Sequence, residues 1–348
     1  MRPIFSRILR TGSLVFCLLA LFSLTLTQSP TVSAQTGPSL ASLAQQGEQA
    51  CLQPPRQIHV SLLTDQQLVS YGLPSHAIIA KNPQQWAKNF AHLKHRTCSS
   101  SAKTTAHRTL KFSNCALGTS CTSNTWSGNE AGDVPGTFRT AEVSFVVPTI
   151  QTSDKNSAVS LWAGIGGDTT FSGNSVLVQA GVISSVDSAG HQTNESFWEV
   201  EPYQGVAQDL PLQSLTAGDQ VYVEADSNAA FSGYNYVYIE NDTVGDYNSH
   251  VDTATPFSHS STAECIVERP TVSGTPTDLA NFQTISFTGC DFTRALADGT
   301  SDIAGVGTIP HSYYTMYNTS VTPNKRLDSV GPIDSTGENY SLTWSAYS

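Results

Sequence analysis

From about Thr122 onward the chain is cut into short runs that alternate apolar and polar residues, each closed by Gly, Asn, Asp, Ser or Pro. Residues 137–147, 220–225, 234–239, 284–287 and 340–344 all follow this pattern, and Asp226-Ser227-Asn228 closes the second of them. A period of two places successive side chains on opposite faces of an extended strand, whereas an amphipathic helix needs a period near 3.6. Many short strands with regular turn signals predict an all-β protein, an antiparallel β-sandwich or barrel. The stretch 116–348 is long enough for one large sandwich.

Two of the apolar runs carry a single polar residue. Residues 176–182 contain Gln179, and residues 265–268 end in Glu268. Burying an amide or carboxylate without a partner costs several kcal/mol, roughly 2–7 for the amide, so such residues are candidates for a task. Alternation puts Leu177, Gln179 and Gly181 on one face, with Val178, Ala180 and Val182 toward the core. In the second run Glu264, Ile266 and Glu268 share a face opposite Cys265 and Val267.

Around these runs lie Asn124-Thr125-Trp126-Ser127-Gly128, Trp162-Ala163-Gly164-Ile165-Gly166-Gly167-Asp168 and Trp198-Glu199-Val200-Glu201-Pro202. Further along come Ala217-Gly218-Asp219, residues 239–245 and Phe287-Thr288-Gly289-Cys290. In this order, over about 123–345, the set resembles the glutamic peptidases (eqolisins), secreted acid endopeptidases. The resemblance implies a concanavalin A-like sandwich of two packed sheets. It also implies a water held between glutamine and glutamate, with Glu268 as general base and Gln179 as its orienter and oxyanion donor. Trp126, Trp162 and Glu199 would then contact substrate, and no metal or organic cofactor is implied. Two departures stand out: Gly166 replaces an aspartate usual in the family, and two aromatics are missing around Val200 and Glu201.

The N-terminal third reads differently. Arg2, Arg7 and Arg10 precede an apolar stretch of about 13–27 and then Val32-Ser33-Ala34, so residues 1–34 are expected to be a secretory signal peptide. That stretch is short for a membrane span, which takes about 20 apolar residues, so the expectation is a secreted, extracellular monomer without a membrane partner. Residues 35–115 hold eight Lys/Arg against two acids, a net of +6, and residues 116–348 hold six against 26, a net of −20. So acidic a domain repels itself at neutral pH and suits an acid milieu, and it excludes nucleic-acid partners. Residues 63–71 and 82–93 carry helical spacing. The basic segment is therefore expected to be a partly helical propeptide that inhibits the acidic domain and leaves in acid.

Six cysteines remain after Cys17 leaves with the signal, and in an exported chain an even number points to disulfides. Proximity favours Cys115 with Cys121. The competing reading is a carbohydrate-binding or glycoside-hydrolysing sandwich using Glu199 and Glu201, which share a strand face.

Overall fold

The computed structural model describes residues 115–348 except 135, 152, 169–175, 205, 228–234, 253–260, 273–274, 298–300 and 348, together with Thr64 and Thr97–Cys98. The expected signal peptide and almost all of the basic segment, including its two expected helices apart from Thr64, lie outside the described residues.

Two large, mainly antiparallel sheets make up the rest. The strands that matter here are β1 (Ser120–Ser123), β2 (Trp126–Gly132), β3 (Phe138–Val146), β4 (Ser157–Gly166), β5 (Leu177–Val186) and β6 (Gln192–Glu201). They are followed by β7 (Gln220–Ser227), β8 (Asn235–Asn241), β9 (Asp246–Asp252), β10 (Thr262–Glu268), β11 (Thr284–Ala295), β12 (His311–Asn318) and β13 (Tyr340–Trp344). One sheet runs β12-β2-β10-β4-β5-β6, and the other runs β9-β8-β7-β3-β11-β13. Sequence neighbours such as β4, β5 and β6 pair as hairpins, while β10 inserts between β2 and β4 from far along the chain.

The alternation explains the layering. Leu161, Ala163, Val178, Ala180, Val182, Cys265 and Val267 from the first sheet meet Val143, Phe145, Val223, Ala225, Val237 and Ile239 from the second in one core. At about 25 cal/mol per Å² of apolar surface removed from water, this contact is what holds the sheets face to face. The expected all-β sandwich is therefore the fold. A disulfide between Cys265 on β10 and Cys290 on β11 ties the sheets together, and Cys115 pairs with Cys121 as proximity suggested.

The opposite face of the first sheet is not a solvated surface. β2, β4 and β10 are buried at every position, so their even-numbered residues form a second buried layer. Its apolar members include Trp126, Trp162, Leu177, Ile183, Phe197 and Ile266. Its polar members make the site.

Candidate active site

Register decides which polar residues meet. Across the first sheet Gln179 on β5 lies opposite Gly164 on β4 and Glu199 on β6. Gly164 in turn lies opposite Glu264 on β10, and Glu264 opposite Glu130 on β2. Glu130, Glu264, Gly164, Gln179 and Glu199 thus form one row on one face, and its four polar side chains are fully buried. Paired residues on neighbouring strands keep their Cβ atoms about 4.5–5.5 Å apart, so Gln179 and Glu264 flank the strip of bare backbone at Gly164.

That glycine is required by space. A Cβ at Gly164 would sit 3.0 Å from Glu264 Oε1, 2.8 Å from Trp162 Cζ3 and 3.0 Å from Leu177 Cδ1. The carboxyl of Glu264 therefore leans over Gly164, toward the strand that carries Gln179. Gly181 does the same service for Trp162: a Cβ there would strike the Leu161 carbonyl oxygen and approach Trp162 Cβ to 2.5 Å.

Gln179 Nε2 donates to Glu199 Oε2 at 3.3 Å, which fixes the amide from the side away from Glu264. Glu264 is held well above the ordinary glutamate range. Burial is the main cause, repulsion from Glu130 and Asp168 adds to it, and the Thr262 hydroxyl opposes it. Asp168, two residues beyond the end of β4, is fully buried as well.

Glu268 is placed elsewhere. It lies opposite Trp126 on β2 and Ser160 on β4, four residues along the strand from the Gln179 row. Four residues at about 3.3 Å each, plus two strand spacings of about 4.8 Å, separate the backbones by roughly 16 Å. A single bridging water reaches about 3 Å to each side, so the register brings Gln179 to Glu264 and not to Glu268. What Glu268 does is visible in its contacts. It accepts a 2.9 Å hydrogen bond from Trp162 Nε1, and Trp162 packs edge-on against Trp126 with ring centroids 5.0 Å apart. Both tryptophans are buried, and Trp126 also meets Tyr314 edge-on.

Parity could not separate the two glutamates, because residues 264 and 268 share a face by alternation. The separating signal is long-range: the row to which each belongs, and the glycine that opens one row and not the other. Glu199 and Glu201 do share a face, but Glu199 is engaged with Gln179.

A model of the peptidase A4 family matches residues 124–328, which spans every residue of the row. Among solved structures, scytalido-glutamic peptidase bound to a transition-state analogue inhibitor is similar at 18% identity, covering 66% of this chain and 100% of its own, with a TM-score of 0.51. Aspergilloglutamic peptidase from Aspergillus niger is similar at 20% identity, covering 54% of this chain and 99% of its own, with a TM-score of 0.41. No curated protein sequence matches the chain. The family match extends over more than half of the chain and includes both the Gln179 and the Glu264 strands. The chain belongs to the peptidase A4 family, the eqolisins, and is a glutamic endopeptidase.

Proposed function

We propose that this endopeptidase cleaves polypeptides in acid through Gln179 and Glu264. We further propose that it is exported as a preproprotein, and that the basic segment 35–115 keeps it inactive until acid releases it. The observation that carries the first proposal is the shared row: an amide and a carboxylate two strands apart, with only Gly164 between them.

In the proposed reaction a water lies between the Gln179 amide and Glu264, which acts through the fraction ionised at the working pH. Because burial holds Glu264 above the ordinary glutamate range, that fraction grows as pH rises. Glu264 takes one proton as the water oxygen bonds to the scissile carbonyl carbon, and the carbonyl oxygen becomes an oxyanion. An amide side chain has two N–H donors. With one held by Glu199, the other donates to the oxyanion, a contribution of about 10²–10³ in rate. The tetrahedral intermediate collapses as the C–N bond breaks, and Glu264 returns its proton to the leaving amine. Acid–base help of this kind contributes about 10²–10⁴-fold. Gln179 stays neutral at every pH, so its part of the chemistry survives in acid.

The opposite net charges of residues 35–115 and 116–348 support the inhibitory role of the basic segment. Acid weakens that attraction as carboxylates protonate near about pH 4. The test is to bring purified full-length protein from neutral pH to about pH 4 and sequence the new N-termini. Self-cleavage between about residues 99 and 125 in the native chain, absent in Gln179→Ala, is the expected result. Cleavage that continues in Gln179→Ala would remove Gln179 from the mechanism.

A further inference from the structure

The row carries one carboxyl that the proposed reaction does not use. Glu130 pairs directly with Glu264 on the side away from Gln179, and it is fully buried. Its Oε1 accepts from the Tyr314 hydroxyl at 3.3 Å, and its carboxyl is in hydrogen-bond contact with that of Asp168. A carboxylate only accepts, so two carboxyls joined in this way hold a proton between them. Glu130, held protonated more strongly than an ordinary carboxyl by burial and by Asp168, is therefore a buried acid standing beside the glutamate that the proposed mechanism uses as its base.

We infer that Glu130 and Asp168 are positioning residues for peptide hydrolysis: as a proton-sharing pair they place one negative charge beside Glu264 and so set where activity begins as pH rises. The inference rests on the Gln179–Glu264 reading of the site. A purely structural account fits poorly. Replacing buried ionisable groups with well-packed neutral ones is commonly neutral or stabilising, so packing alone gives no reason for an acid at the centre of a buried strand. Among the described residues, the ionisable groups acting on Glu264 are Glu130 from β2 and Asp168 just beyond β4, and the Tyr314 hydroxyl from β12 contacts Glu130 in turn. Beyond Gln179 lie Glu199 and Glu201 from β6, and Glu268 stands further along β10 itself. Of the carboxyls, only Glu130 is directly paired with Glu264.

The charge has a definite sign of effect. A neighbouring anion disfavours ionisation of Glu264, so removing it makes Glu264 a base at lower pH. In Glu130→Gln or Asp168→Asn one carboxyl of the pair survives and can still carry the charge. In the double variant none survives. The experiment is kcat/KM against pH on a peptide substrate for the native enzyme, both single variants and Glu130→Gln/Asp168→Asn. The acid limb of the double variant should move toward acid by about one unit or more, the size of effect an adjacent carboxylate exerts, and each single variant should move it less. An acid limb of the double variant that stays in place, or moves toward neutral pH, overturns the inference.

Should the amide pair not fold, Glu130→Val with Asp168→Asn removes the same charges with a strand-favouring residue and is read in the same way. A carboxyl-carbon NMR titration of the native protein gives a third reading: burial and the neighbouring Asp168 should make Glu130 ionise at higher pH than an ordinary carboxyl, and ionisation within the ordinary carboxylate range also overturns the inference. Glu264→Gln separates the two levels of the argument. If it is active, the dyad reading fails. If it is inactive while the double variant's acid limb is unmoved, only this inference fails.

Discussion

At the scale of single residues, the site depends on a side chain that is absent. Gly164 leaves the strip of backbone that Glu264 leans across, and its neighbours would crowd any added methyl. Gly164→Ala should therefore reduce kcat by at least about tenfold, since a displacement of about 1 Å can cost 10² in rate, while leaving the thermal midpoint within a few degrees. Near-native turnover in Gly164→Ala would mean that the glycine is only tolerated. Glu199 acts on the same row from the other end. Its hydrogen bond fixes the orientation of the Gln179 amide, so Glu199→Leu, which removes the acceptor, should lower kcat more than it raises KM. A pure KM effect would instead place Glu199 in substrate contact, as the family resemblance implied. Glu268 belongs to a different assembly, in which the carboxylate steadies the Trp162 indole and the two tryptophans fill the layer beside the row.

At the scale of strands, alternation was legible in the chain and register was not. The period of two correctly sent Val178, Ala180 and Val182 inward and Gln179 outward, because that choice needs only the residues themselves. It also put residues 264 and 268 on one face. It could not say which of them stands level with Gln179, because β10 reaches its place between β2 and β4 from nearly a hundred residues beyond β4. Row membership is a property of three strands brought together by the fold. Alternation also says nothing of what covers the polar face, and β2, β4 and β10 are buried on both sides.

The strand that carries Glu264 is also the one stapled to the other sheet. Cys265, the next residue, bonds to Cys290 on β11 across the core. A native disulfide contributes about 2–4 kcal/mol, chiefly by restricting the unfolded chain. Cys265→Ala/Cys290→Ala should lower stability by about that amount in denaturant unfolding, and activity should fall with it because β10 loses its tether. Unchanged stability would show that packing alone holds the sheets.

At the scale of the molecule, buried acids are not confined to the site. On the second sheet the Tyr222 hydroxyl lies within hydrogen-bond distance of Glu142 at 2.7 Å and of Glu224 at 3.1 Å, and burial with repulsion from Asp226 pushes Glu224 up to about 8. Burial also pushes Asp328 up to about 7, although it accepts a hydrogen bond from Ser127 Oγ at 2.8 Å. An unfolded carboxyl ionises near about pH 4. Between that pH and about 7–8 the folded protein keeps protons that the unfolded chain has lost. Stability is then fully present below about pH 4 and drains as pH rises toward 8, by about 1.4 kcal/mol per pH unit for each such group. Self-repulsion of the acidic domain acts in the same direction. The thermal midpoint of residues 116–348, freed of the basic segment, should therefore be higher at about pH 4 than at about pH 7.5. A midpoint that is equal, or higher at neutral pH, would contradict an acid-adapted interior.

The central claim is that Gln179 works with Glu264, the glutamate in its own row. Its most direct test is to measure kcat side by side for the isosteric variants Glu264→Gln and Glu268→Gln, on one peptide substrate at one acid pH, after matching their thermal midpoints to the native enzyme. The account predicts a loss of at least about 10³-fold for Glu264→Gln, the scale of acid–base catalysis. For Glu268→Gln it predicts a loss within about tenfold, because the amide oxygen can still accept from the Trp162 indole. The reverse order, with Glu268→Gln dead and Glu264→Gln active, would contradict it.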